Sequence, residues 1–170
     1  MLDFGSGAGR NLINLKLNKN SDIYLVDFSI EMIKLAKKRT KKLGLEKNTN
    51  FFVADLTKLP FEDNFFDSAI ATAVFHCIEK EKNREKAARE LYRVLKKGAE
   101  AEITVWNKNS KRFKNSVKEK YITWRNKGKR YYYLFDEKEI HNLFKSVGFK
   151  IKKRYEPERN IIFIAEKPEK

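Results

Sequence analysis

A chain of 170 residues, 41% of them hydrophobic, is long enough to close one packed core, and residues 1–170 are expected to form a single domain. No apolar run approaches the roughly 20 residues needed to cross a bilayer and no leader opens the chain, so a cytoplasmic protein without membrane association is expected. The lone cysteine, Cys77, leaves no internal disulfide and no Cys-based zinc site, so no metal is expected in the chain. A net charge of +15 points to a polyanionic partner, and much of it is concentrated: ten basic residues and one acidic residue, Glu119, fall between Lys108 and Arg130.

Leu2–Phe4 reads as the end of a buried strand, followed by Gly5-Ser6-Gly7-Ala8-Gly9-Arg10 and a helix start. Three positions without Cβ let the chain turn sharply and let a ligand lie against backbone N–H groups near a helix N-terminus. A dinucleotide fingerprint counted from Gly5 needs glycine at position 10, where Arg10 stands, and a P-loop needs Gly-Lys-Ser/Thr at its close. Neither fits.

The second strand, Asp22–Phe28, carries Asp27 eighteen residues past Gly9, where a doubly wound fold places a carboxylate that accepts hydrogen bonds from a ribose. Ser29 is a good N-cap, Glu31 sits in the first turn, and Ile33, Ala36, Thr40 and Leu43 recur at helical spacing, so residues 30–43 are helix. The Lys-rich run 34–42 reads as its solvated side. Asn50–Asp55, Phe66–Val74 and Glu100–Trp106 are further strands, and residues 81–96 repeat the helical pattern through Ala87, Ala88, Leu91, Val94 and Leu95, with Gly98 placed to end it. Strands alternating with helices predict an α/β fold with a parallel sheet. Residues 107–130 show no convincing period and read as mixed loop and helix. Asp136 caps a helix bearing Ile140, Leu143, Phe144 and Val147 that stops at Gly148. Phe149–Tyr155 and Ile161–Glu166 are strands whose connection is too short for a crossover helix, so this last pair is expected to be antiparallel.

Asp3 two residues before G-x-G-x-G, with Asp27 and Asp55 ending the next two strands, resembles the class I S-adenosylmethionine-dependent methyltransferases. Leu59–Asp67, ahead of the fourth strand, and Arg93-Val94-Leu95-Lys96-Lys97-Gly98 extend the resemblance over residues 1–106. It implies a Rossmann-like, seven-stranded, mostly parallel sheet with a C-terminal antiparallel hairpin, and S-adenosylmethionine as cofactor. The cofactor-binding residues it implies are Asp3, Gly5, Gly7, Gly9, Asp27, Phe28, Ala54, Asp55 and Ala71, with the Ala54 amide and Asp55 on the adenine. The family carries helices and most of the first strand ahead of the glycine loop, so the resemblance also implies an N-terminally truncated chain.

The stretch after the fourth strand narrows the acceptor. Amino-group methylation of adenine or cytosine uses Asn/Asp-Pro-Pro-aromatic there, whereas this chain has Ala73-Val74-Phe75-His76-Cys77-Ile78. Carbon-5 methylation of pyrimidines needs a cysteine nucleophile, and Cys77, with no proline before it, reads as a small buried filler. His76 is either a base or donor facing the sulfonium or a structural cap of the strand end. The segment Trp124–Phe135 interleaves cations with rings, as an RNA-binding surface does, or as an aromatic core stripe flanked by solvated charges does. Arg130-Tyr131-Tyr132-Tyr133-Leu134-Phe135, Val105-Trp106 and Arg159-Asn160 resemble the tRNA wobble-uridine (5-carboxymethyluridine) carboxyl methyltransferases. That resemblance implies a tRNA substrate, with residues 107–135 as a substrate-binding insertion. It implies Arg10, His76 and Arg130 as catalytic, and Lys127, Lys129, Arg130, Tyr131, Tyr132, Arg159 and Asn160 as substrate contacts. It also implies a small zinc-binding activator subunit at the edge strand Phe51–Val53. Two alternatives stay open: a small-molecule methyltransferase of the same fold, and a degenerate, non-catalytic RNA-binding subunit.

Overall fold

The computed structural model describes residues 1–13, 21–123 and 128–170. In chain order its elements are β1 (Leu2–Phe4), β2 (Ile23–Asp27), α1 (Ile30–Leu43), β3 (Thr49–Val53), β4 (Phe66–Thr72), α2 (Glu81–Val94), β5 (Leu95–Trp106), β6 (Glu119–Thr123), β7 (Lys129–Tyr133), α3 (Glu137–Ser146), β8 (Lys150–Arg154) and β9 (Asn160–Glu166). Seven strands form one sheet in the order β3-β2-β1-β4-β5-β9-β8. The first five run parallel, and β9 is antiparallel to both of its neighbours, giving the expected α/β sheet with a C-terminal antiparallel pair. Among the described residues no helix is long and apolar enough to cross a membrane.

Helix α1 forms for local reasons. The Ser29 hydroxyl accepts the Met32 N–H, and Gly44 takes the left-handed conformation at the C-terminus with its N–H on the Lys41 carbonyl. Ile33, Ala36 and Thr40 are buried against the sheet, whereas Lys34, Lys37, Lys38, Lys41 and Lys42 face solvent. Helices α2 and α3 meet each other. Ala87, Ala88, Leu91 and Val94 of α2 and Ile140 and Phe144 of α3 join the main core with Phe4, Phe75, Ile103 and Phe163.

Two expectations are corrected. Helix α2 stops at Val94, not 96, and Gly98 does not end it. Leu95 already pairs with Phe66, and the register then jumps to Ser68 against Glu100, so residues 96–99 bulge, with Gly98 at φ +76°. The stop is long-range: the Asn64 and Phe65 N–H groups donate to the Arg93 and Val94 carbonyls, and the Lys167 ammonium reaches the Leu95 carbonyl at 2.8 Å. The described part of residues 107–130 holds no regular α-helix. It leads into a separate antiparallel hairpin of β6 and β7. Tyr121 sits opposite Tyr131 and Ile122 opposite Arg130, and the Tyr, Ile and Thr residues of the two strands are types that favour extended chain.

Candidate active site

The glycine loop leaves the carboxyl end of β1 and is pinned at once. Both the Gly5 and Ser6 N–H groups donate to the Val26 carbonyl at 2.9 Å, and the Gly9 N–H donates to the Ser6 carbonyl at 3.0 Å. At Gly5, φ is +75° and a Cβ would stand 2.2 Å from a Val74 methyl carbon, so glycine is required by both backbone and space. A Cβ on Gly7 would meet nothing within 4 Å. That is the open side of the loop.

Asp27 ties the loop to α1. It is 7% exposed, and its Oδ2 accepts the Gly7 N–H while its Oδ1 accepts the Ser29 N–H, both at 2.9 Å. Asp3 lies in β1 with no exposed surface. Its Oδ1 accepts from the Asn11 amide at 2.9 Å, and its Oδ2 is enclosed without a partner among the described residues, as is the Ser6 hydroxyl. Phe28, by contrast, is 76% exposed beside Asp27. Asp55 does not end a strand: β3 stops at Val53, and the exposed Asp55 carboxylate accepts the backbone N–H and hydroxyl of Thr57 in a turn. The Ala54 amide, expected on the adenine, donates to the Asp27 carbonyl at 3.1 Å. Ala71 is fully enclosed inside β4, with its side chain in the core.

A second group of residues gathers beyond the end of β4. Ala73 takes φ +60°, a left-handed turn that costs an alanine about 1 kcal/mol, and the following 3₁₀ turn Phe75–Cys77 swings His76 inward. His76 is 1% exposed, stacks on Trp106 at 4.6 Å between centroids, and lies 5.8 Å from the Tyr132 ring. Its Nδ1 accepts the Trp106 backbone N–H at 3.3 Å, so the neutral ring carries its proton on Nε2. Trp106 stacks on Tyr132 at 4.5 Å and receives the Arg112 guanidinium 5.4 Å from its centroid.

Asn160 opens β9 opposite Trp106, with its Oδ1 enclosed and unpartnered, and the Arg159 carbonyl accepts the Asn107 N–H. Lys129 and Arg130 are exposed on β7. Tyr131 and Tyr132, expected to hold a base, are only 8% and 3% exposed: Tyr131 meets the Arg84 guanidinium, and Tyr132 packs against Trp106. The structure therefore brings His76, Trp106, Tyr132, Arg130 and Asn160 to one end of the sheet. Arg10 is exposed directly after the loop. Lys127 lies outside the described residues. A separate cavity of about 550 Å³ between α2 and α3 is lined by none of the expected site residues.

Comparison with known proteins decides what the loop belongs to. The methyltransferase domain family matches residues 2–103, more than half of the chain. The chain belongs to this methyltransferase family. Among curated relatives, it is 37% identical over 106 residues to the tRNA (carboxymethyluridine(34)-5-O)-methyltransferase of Arabidopsis thaliana, covering 62% of this chain and 24% of the relative. It is 32% identical over 99 residues to the ajmaline N-methyltransferase of Rauvolfia serpentina, covering 58% and 33%. The chain thus spans about a quarter to a third of the length of these two relatives. Among solved structures, a SAM-dependent methyltransferase from Methanosarcina mazei superposes with a TM-score of 0.82 at 23% identity, covering 99% of this chain and 92% of that one. The complex between the Haloferax volcanii Trm112 methyltransferase activator and a methyltransferase gives 0.78 at 16% identity, covering 98% and 81%.

The family's cofactor is S-adenosylmethionine, and the loop fits it. Gly7 leaves free space at the mouth, Asp3 and Ser6 keep oxygens beneath it that have no partner among the described residues, and Phe28 offers an open ring beside the Asp27 carboxylate. Burial raises the Asp3 carboxyl to about 7, eased by the Asn11 hydrogen bond and reinforced by the Asp27 charge. Beyond the end of β4, burial pulls His76 down to about 3, helped by the Arg130 charge. Burial pushes the Cys77 thiol up to about 11, with Arg130 lowering and Asp27 raising it. Cys77 therefore feels both halves of the site and is no thiolate nucleophile near neutral pH. Asn11 and Ala73 were missed by sequence reasoning. Asn11 carries no motif, and the positive φ of Ala73 is visible only once Val74 is seen against Gly5.

Proposed function

We propose that this methyltransferase esterifies a carboxylate on tRNA, the carboxymethyl group of wobble uridine 34, using S-adenosylmethionine. The observation that carries the reading is the absence of a working base on the acceptor side among the described residues: His76 is buried, neutral and hydrogen-bonded through Nδ1, and Cys77 is held protonated. A carboxylate with an ordinary value near 4 needs no base. Carbon acids must lose a proton in methylation and do, and an amine must arrive in its unprotonated form.

When bound, S-adenosylmethionine supplies an electrophilic methyl carbon on a cationic sulfur. A carboxylate acceptor would carry no proton to remove, so no residue of the chain would have to act as a base. The protein's share is positioning and desolvation. Arg130, close enough to influence His76 and Cys77, holds the anion, His76 offers its Nε2–H, and Lys129, Arg130, Arg159 and the cations around Trp106 face the RNA phosphates. The named activity of the Arabidopsis relative supports this acceptor, and the alkaloid N-methyltransferase is the competing precedent.

Arg130→Ala is expected to lower kcat/KM on tRNA at least tenfold and to flatten its salt dependence, while binding of S-adenosylhomocysteine stays within twofold. Equal loss of both would remove the proposal. The assembly with a small zinc-binding activator belongs to the same reading. β3 is an edge strand, Phe51 and Phe52 are half-buried and Val53 is 50% exposed, leaving open backbone groups beside an apolar surface. The solved neighbour paired with the Trm112 activator supports it. Val53→Lys should abolish co-purification with such an activator. Undiminished recovery of the pair would argue against this edge.

A further inference from the structure

The basic run 34–42 on α1 contains one residue that does not behave as solvated charge. Lys34, Lys37, Lys38, Lys41 and Lys42 are exposed, whereas Arg39 is half-buried, and its Nε–H donates to the Ala8 carbonyl at 2.8 Å. Ala8 lies between Gly7 and Gly9, thirty-one residues away in sequence. One helical turn earlier, Ala36 is fully buried, and a Cβ on Gly9 would stand 3.4 Å from its methyl. Helix α1 thus grips the loop twice on one face, by close approach at Ala36 and by a hydrogen bond at Arg39.

The two ends of the grip form a closed circuit. Asp27 fastens the N-terminal end of α1 through Ser29 and the open side of the loop through Gly7, while Arg39 fastens the body of α1 to the next peptide of the loop. That peptide joins Ala8 to Gly9, and its N–H is already held by the Ser6 carbonyl. With both ends fixed, the peptide cannot rotate, and the free space over Gly7 keeps its shape before a ligand enters. Pre-set geometry of this kind raises affinity by removing an ordering cost from the binding step.

We propose that Arg39 is a positioning residue for the cofactor: its Nε–H sets the glycine loop in its binding conformation and touches no ligand itself. Glutamine provides a selective test, because its Nε2 occupies the same place along the side chain as the arginine Nε and donates without charge. Methionine has similar length and no donor.

Calorimetric titration with S-adenosylhomocysteine should show Arg39→Met weakened about tenfold and Arg39→Gln within about threefold of the unaltered chain, with melting temperatures of the two variants close to each other. A role in stability alone would lower both melting temperatures and leave affinity alone, which would overturn the proposal. So would equal weakening of Arg39→Gln and Arg39→Met, because charge rather than the hydrogen bond would then be responsible. Uptake by the unaltered chain that is insensitive to Arg39→Met removes this proposal only, whereas no uptake by the unaltered chain removes the cofactor assignment with it.

Discussion

Asp27→Ala is expected to weaken binding of S-adenosylhomocysteine by at least a hundredfold. One carboxylate accepts the Gly7 and Ser29 N–H groups from opposite sides and lies at the end of β2, the position a doubly wound fold gives to a ribose-binding carboxylate. Removing it strands two backbone donors, each worth about 1.5–3 kcal/mol when paired with a charged acceptor, and takes away the proposed ribose contact as well. Asp27→Asn discriminates further. Its amide has one oxygen, so only one of the two N–H donors can be served while the other faces an NH₂ group. A loss of about tenfold is expected, between wild type and alanine. Calorimetry reads both, and an alanine variant with undiminished affinity would show that the loop does not depend on this carboxylate.

Asp3 sets a dependence on pH. Its folded-state value of about 7 stands above the ordinary 3.8, so the folded chain holds this proton more tightly than the unfolded chain does. Ligand-free stability therefore falls as pH rises from about 4 to about 7, by an amount on the order of 4 kcal/mol at most. His76 works oppositely. Its value is depressed from 6.5 to about 3, so its stability contribution is present above 6.5 and lost as pH falls toward 3.

Asp3→Asn removes the first slope and leaves the second. The melting temperature of Asp3→Asn minus that of wild type should therefore grow steadily between pH 4.5 and 7.5. A constant difference would mean that Asp3 titrates normally. The cationic cofactor favours the ionised carboxyl, so wild-type affinity for S-adenosylmethionine should also rise between pH 6 and 8, and that rise should vanish in Asp3→Asn.

Elements written locally in the sequence were legible. The glycine loop, Asp3 before it, Asp27 ending β2 and the capped helix α1 each depend on residues within a few positions, and the alternation of strand and helix gave the parallel sheet. The end of α2 was not legible, because its carbonyls are satisfied by Asn64, Phe65 and Lys167 rather than by a nearby glycine.

The β6–β7 hairpin was hidden by its charge. Lysines and arginines next to tyrosines look like an open surface, yet Tyr131, Tyr132 and Tyr133 are all buried while Lys129 and Arg130 stay exposed. Tyr131 and Tyr132 were placed on the RNA for the same reason, and packing against Arg84 and Trp106 encloses them instead. Arg39 was absorbed into a basic run because nothing local separates it from its neighbours. Its partner, Ala8, is visible only across the fold.

The bond formed in the proposed transfer, an ester on a carboxylate of tRNA, can be read directly. With methyl-labelled S-adenosylmethionine, carboxymethyl-bearing tRNA and the activator subunit present, label should enter the RNA and leave it as volatile methanol under mild alkali, because an ester hydrolyses. Label that survives the alkali on a base nitrogen or carbon, or RNA that acquires none, would contradict the account.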